Sequence, residues 1–212
     1  MKIGYFADGP WSHKAFELIA ADPELDIRFI VPRKDTSDSV LKEYASQHKV
    51  DYLENVSVNS AEFFEAAGTY QCDLFVSMSY NQIFKPKIAS MPPLGTINCH
   101  AGKLPFYRGR NILNWVLIND EKEFGITVHY IDNTIDTGDI ILQRVFGISD
   151  EDDYNTLLRR AYTGCAEILY DAIKLVEKGK VKRIAQRSIH PVGSYFGMRM
   201  EGDEIINWNQ TS

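Results

Sequence analysis

Three things are scarce in this sequence, and each closes off a class of function. Long apolar runs are missing, including from the N-terminal MKIGYFADG. Neither a secretion signal nor a membrane-spanning helix is therefore supported, and no membrane partner is expected. Cysteine is rare: Cys72, Cys99 and Cys165 are odd in number and far apart. That pattern fits reduced thiols in a cytoplasm rather than a disulfide framework, and no Cys/His spacing suited to a metal occurs. Positive charge is in deficit, with 23 Lys and Arg against 29 Asp and Glu, for a formal net charge of −6. Gripping a nucleic acid backbone needs a basic footprint, so no nucleic acid partner is expected. Internal repeats and low-complexity segments are also lacking.

What is present is enough for a full core: 212 residues, 44% apolar and 25% charged, one large domain or one domain with a small appendage. Residues 2–6 read as a short strand closed by Asp8-Gly9-Pro10, and Trp11-Ser12-His13 leads into a helix burying Phe16, Ile19 and Ala20. A strand over 25–31 stops at Pro32, and a helix over 39–48 turns Leu41, Tyr44 and Ala45 inward. A short strand over 50–53, a helix over 61–67 and an apolar central strand over 73–77 follow. This alternation predicts an α/β fold, a mostly parallel twisted sheet with helices on both faces. A long helix is predicted over 154–178, with an acidic start and Lys174 and Lys178 at its end, as the helix dipole favours.

In such folds ligands bind at the carboxyl ends of the strands. The loop 8–12 is one candidate; it reads equally as a plain connection with Ser12 capping the helix. The loop 77–87 is another, carrying Met78, Tyr80, Ile83 and Phe84 as exposed-looking apolar residues beside polar ones. The stretch 96–138 holds the most chemistry. A strand ends in Asn98-Cys99-His100, where alternation turns Asn98 and His100 to one face and Cys99 to the other. A Leu104-Pro105 loop with Lys103, Arg108 and Arg110 follows, then a helical run over 111–119, a β-type run over 125–131 and an acidic loop containing Asp136. If the two β-type runs are neighbours, Asp136 approaches His100. An amide donor, an imidazole and a carboxylate suit acyl transfer to an amine: the first two can stabilise an oxyanion, and the last two can move protons. The cluster of positive charge suggests an anionic substrate or a solvated loop.

Taken in order, the Asn-x-His, the Leu-Pro-x-x-Arg-Gly loop, the helix, the Gly-x-Thr-x-His strand and the Ile-Asp-x-Gly loop resemble the catalytic core of the 10-formyltetrahydrofolate-dependent formyltransferases. The resemblance implies a Rossmann-like catalytic domain over 1–190 and a C-terminal extension over 191–212 leading toward a second domain that is absent here, marked by Ile205, Ile206 and Trp208. It implies Asn98, His100 and Asp136 as the catalytic residues and 10-formyltetrahydrofolate as the donor, with no metal. Met78, Tyr80, Gln82, Ile83, Phe84, Leu104, Asp132 and Ile135 would contact the folate. Asp8, Gly9, Trp11, Lys103, Tyr107, Arg108, Gly109, Arg110 and Asn111 would contact the acceptor.

The acceptor is read from finer features. Methionyl-tRNA formyltransferases are longer and need a nucleic acid surface. Glycinamide ribonucleotide formyltransferases carry a Gly/Ser/Asn-rich phosphate loop and a Pro after the catalytic His, where this chain has Ala7-Asp8-Gly9-Pro10-Trp11 and Ala101. Tyr107 to Asn111, Trp115 and Ser194-Tyr195-Phe196 look more like the sugar N-formyltransferases, which formylate nucleotide-linked amino deoxysugars for surface polysaccharides. The expected protein is thus a cytoplasmic N-formyltransferase, with a homodimer possible. A glycinamide ribonucleotide formyltransferase, a folate or nucleotide-binding module without chemistry, and a hydrolase releasing formate are its rivals.

Overall fold

The computed structural model describes residues 1–203; Ile205, Ile206 and Trp208 lie outside the described residues. In chain order the elements are β1 (Lys2–Ala7), α1 (Pro10–Ala20), β2 (Asp26–Val31), α2 (Ser39–His48), β3 (Asp51–Tyr52), α3 (Ala61–Thr69), β4 (Leu74–Met78), α4 (Pro86–Ala89), β5 (Thr96–His100), β6 (Arg108–Gly109), α5 (Ile112–Ile118), β7 (Glu123–Tyr130), β8 (Ile140–Gly147), α6 (Tyr154–Glu177), α7 (Gln186–Ile189) and β9 (Tyr195–Phe196). A seven-stranded sheet runs in the order β3-β2-β1-β4-β5-β7-β8. Its first five strands are parallel. β7 pairs antiparallel with both β5 and β8. The strand order reverses between β1 and β4, the switch point where open sheets of this kind leave a crevice.

Side-chain alternation divides the core in two. Along β1, Ile3, Tyr5 and Ala7 join the core under α1, α5 and α6, whereas Phe6 joins the core under α3 and α4. The first core is dominated by α6, whose buried Leu157, Ala161, Cys165, Ile168, Leu169, Ala172 and Ile173 recur at helical spacing. The second core is aromatic. Phe6 makes edge contacts with Phe29, Phe63, Phe75, Tyr80 and Phe84, with ring centroids 4.9–5.9 Å apart. Among the described residues no helix is long and apolar enough to cross a membrane.

The fold class expected from the sequence is the one found, with local differences. Gly9 caps α1, and the Ser12 hydroxyl donates back to its carbonyl at 2.8 Å, so Ser12 sits buried inside the first turn rather than capping it. Met78 and Phe84 are core residues, 1% and 4% exposed, because β4 runs to Met78 and Phe84 turns back onto the Phe6 cluster. Strand β8 was not anticipated: IILQRVFG lacks clean alternation, and β7 recruits it as an antiparallel neighbour. β6 and β9 form a second, two-stranded sheet.

Gly4 shares the aromatic face with Phe6. A Cβ there would lie 2.5 Å from Phe29 Cζ and 2.7 Å from Phe75 Cδ1, so at least one of these packed rings would have to move. Gly4→Ala is expected to destabilise the protein by about 1–3 kcal/mol in chemical denaturation; an unchanged midpoint would show that the aromatic core is loose.

Candidate active site

Antiparallel pairing of β5 with β7 places Asn98 opposite His129 and His100 opposite Thr127. Asn98 and His100 therefore share a face with His129, and Cys99 points the other way, its Sγ 3.7 Å from the Cys165 carbonyl. Burial raises the Cys99 thiol well above its usual value, with Cys165 adding to the shift, as suits a packed core thiol rather than a nucleophile.

Each imidazole has one nitrogen committed to a main-chain carbonyl. His100 Nε2 lies 2.7 Å from the Tyr107 oxygen, and His129 Nδ1 lies 2.8 Å from the Tyr130 oxygen. A carbonyl only accepts, so those nitrogens carry the protons. The two remaining nitrogens face one carboxylate: His100 Nδ1 is 3.6 Å from Asp136 Oδ2, and His129 Nε2 is 3.4 Å from Asp136 Oδ1. The Gly109 N–H also donates to Asp136 Oδ2 at 3.0 Å, and the Asn98 amide nitrogen is 3.3 Å from His129 Nε2. Burial pushes the Asp136 carboxyl up. Charge at His100, the contact with His129 and the Gly109 hydrogen bond outweigh it, and the net value lies well below the usual carboxylate range. Asp136 is therefore an anion at neutral pH. Its backbone is left-handed, with φ 55°.

Two cavities meet here. A slot of about 290 Å³ runs between Tyr80, Gln82, Ile83 and Phe84 on one side and Asp132, Thr134 and Ile135 on the other, with Asn98, His100, His129 and Asp136 at its base. A neighbouring cavity of about 440 Å³ is lined by Trp11, Arg33, Met78, Arg110, Asn111, Tyr154 and Met198, among others. His100, Gly109 and Arg110 border both. The side chain of Gln82 is committed to the slot wall, donating to the Val56 carbonyl at 2.9 Å and the Tyr80 hydroxyl at 2.8 Å and accepting from the Val58 N–H at 3.1 Å.

Most residues anticipated for the donor therefore surround the slot, while Met78 faces the second cavity and Leu104, 1% exposed, borders neither. The residues anticipated for the acceptor divide. Trp11, Gly109, Arg110 and Asn111 line the second cavity. Asp8 is buried and accepts from the Thr36 hydroxyl at 2.5 Å, and the Gly9 N–H donates to Asp38 at 2.7 Å. Lys103 pairs with Glu123 in a separate cavity of about 240 Å³. Tyr107 stacks on Phe196, and its hydroxyl donates to Glu121. Arg108 turns to Gln186 and the Val192 carbonyl. Of the lining residues that the sequence did not point to, His129 and Arg33 carry the most chemistry. His129 was visible in the Gly-x-Thr-x-His run, but only the strand register sets it beside Asn98. Arg33 follows β2 at the carboxyl edge of the sheet, where the position of the strand was itself the signal.

Residues 18–173 match the model of a family described as formyl transferase. The chain is 32% identical over 179 residues to a methionyl-tRNA formyltransferase of Acetivibrio thermocellus, covering 84% of this chain and 57% of that protein. It thus spans little more than half the length of such curated relatives. Among solved structures, the N-formyltransferase of Helicobacter canadensis in complex with folinic acid and dTDP-3-aminofucose has a TM-score of 0.77 at 23% identity, covering 100% of this chain and 76% of that one. Glycinamide ribonucleotide transformylase 1 from Symbiobacterium toebii has a TM-score of 0.75 at 23% identity, covering 87% and 94%. At this identity the two structures speak for the α/β fold.

The lowered value of Asp136 carries a sign. A carboxyl depressed in the folded state contributes stability above its unfolded value of about 3.9, and that stability is lost as pH falls toward the folded value. Urea midpoints are expected to fall less steeply for Asp136→Asn than for the unaltered chain between about pH 5 and pH 3. Parallel curves would contradict the pairing of Asp136 with the two imidazoles.

Proposed function

The chain belongs to the formyl transferase family, and we propose that it transfers a formyl group from 10-formyltetrahydrofolate to the amino group of a nucleotide-linked amino deoxysugar. The observation that carries this reading is that His100 borders both cavities, so a donor in one and an acceptor in the other would meet at its ring. The slot suits a flat, amide-bearing ring, with apolar walls at Ile83, Phe84 and Ile135 and polar groups at its base. The second cavity suits an anionic, ring-containing acceptor: Arg33 and Arg110 offer guanidinium groups to a diphosphate, and Trp11 and Tyr154 offer ring faces.

10-Formyltetrahydrofolate would supply the formyl carbon that the neutral amine attacks. Asn98 donates an amide N–H to the developing oxyanion. His100, protonated, donates from Nδ1, which at 3.6 Å from Asp136 is too far for a direct hydrogen bond and is free for an oxygen placed beside it. Asp136 stabilises that imidazolium and relays the proton shed by the amine toward the departing folate nitrogen as the C–N bond to it breaks. His129 Nε2 faces both the Asn98 amide and the Asp136 carboxylate; unprotonated it accepts from Asn98, and protonated it donates to Asp136.

The sequence relatives favour a second acceptor, methionyl-tRNA. The net charge of −6 and a second cavity of about 440 Å³ lined by Arg33 and Arg110 weigh toward a small anionic acceptor.

The test is a mass-read assay with 10-formyltetrahydrofolate and nucleotide-linked amino sugars, glycinamide ribonucleotide and methionyl-tRNA as separate acceptors, plus a control without acceptor. The expected result is one added formyl group on an amino sugar, with Asn98→Ala and His100→Ala each slowing turnover by about a hundredfold or more while remaining folded. Near-normal turnover in either variant would refute the assigned roles. Formylation confined to another acceptor would replace the substrate, and formate alone would indicate hydrolysis.

A further inference from the structure

The segment after α6 lies beyond the stretch that matches the family model, which ends at residue 173. Gln186 is its one strongly buried polar side chain among the described residues, 2% exposed. Its Nε2 donates to the carbonyls of Asp136 and Gly138, at 2.8 and 2.9 Å. Its Oε1 accepts from Arg108 Nε and Nη2, at 3.1 and 2.7 Å. The amide thus has both donors and its acceptor engaged, all on groups that surround Asp136. The backbone beside it is fixed as well: Ile184 exchanges hydrogen bonds with Ile140, at 2.9 and 3.0 Å.

Asp136 needs such support. Aspartate tolerates the left-handed region better than most non-glycine residues, but a single conformer there is held by what surrounds it. Packing holds the loop on one side, since a Cβ at Gly138 would lie 1.9 Å from the Tyr130 oxygen. The Gly109 N–H holds the carboxylate, and Gly109 is fixed through β6 against β9. Gln186 holds the main-chain carbonyl of the same residue. Arg108 links the two supports, because it precedes Gly109 and its guanidinium rests on Gln186.

Resting on the proposed formyl transfer, we propose that Gln186 is a positioning residue: its amide fixes the loop that presents the Asp136 carboxylate to both imidazoles. It touches neither donor nor acceptor, and it acts only through Asp136. A purely structural role, satisfying buried carbonyls for stability alone, predicts different behaviour in a double-mutant cycle.

Gln186→Leu removes both donors and the acceptor. Gln186→Glu keeps the volume and the acceptor for Arg108 but loses the donors, and serves where the leucine variant does not fold. The expected result for either is a fall in kcat of about tenfold or more, as misplacement of a catalytic group produces, with KM for the folate donor changed by less than about threefold. In an Asp136→Asn background the same substitution is expected to cost no further kcat. An equal loss in both backgrounds, or a drop in Tm with kcat intact, would overturn the proposal. A second readout needs no activity: the ring nitrogen and proton NMR signals of His100 and His129 should shift in the Gln186 variant in the same direction as in Asp136→Asn. Unmoved ring signals would overturn the proposal even if turnover fell. If the unaltered chain moves no formyl group, the proposed function fails, and the ring signals still decide whether Gln186 governs Asp136.

Discussion

A largely desolvated carboxylate shared between two imidazoles is the constraint that much of this structure serves. Asp136 oxygens lie 3.6 Å from His100 and 3.4 Å from His129, and a backbone N–H completes the set. An isolated carboxylate taken out of water is expensive and would pick up a proton. Here the neighbouring groups reverse that tendency and hold it as an anion. The arrangement requires three distant parts of the chain to agree. β5 supplies Asn98 and His100, the antiparallel β7 supplies His129 in register, and a left-handed turn lifts Asp136 between them.

The topology explains why this happens where it does. The parallel strands β1, β4 and β5 end at one edge of the sheet, and the order reversal between β1 and β4 opens a crevice there. The antiparallel β7 enters beside β5 and brings a second set of polar side chains to the same edge. His100 stands where the resulting slot and the larger cavity meet. Positive charge is scarce in this acidic chain, and the structure divides it with care. Lys103 and Arg108 are engaged by protein partners away from the two cavities, whereas Arg110 and the Asp35-paired Arg33 line the larger one. Arg33 forks onto Asp35, whose carboxylate also accepts from Asn81, so this cation is held in place at the cavity wall.

Much of this was legible in the sequence, and the reasons for the rest are physical. The β-α alternation through residue 77 is strongly periodic and produced the parallel half of the sheet. The spacing Asn98-x-His100 had to put both side chains on one face once the run was a strand. Strand β8 was hidden because its burial is irregular, with intermediate residues from Leu142 to Arg144 and an exposed Val145. His129 was legible as part of a motif and illegible as a neighbour, because partnership across strands depends on register. Met78 and Phe84 resembled loop residues by sequence neighbourhood and became core by three-dimensional packing. Arg108 and Gln186 lie 78 residues apart in sequence, so nothing local could reveal that one engages the other.

The most direct test of this account is a crystal structure of the chain with 5-formyltetrahydrofolate, a stable relative of the proposed donor. The account predicts the pterin between Ile83-Phe84 and Asp132-Ile135, and the reactive end of the folate within hydrogen-bonding reach of Asn98 and His100, with the Asp136 carboxylate still between the two imidazoles. Folate seated outside the slot, or Asp136 turned away from His100 and His129 when it binds, would contradict it.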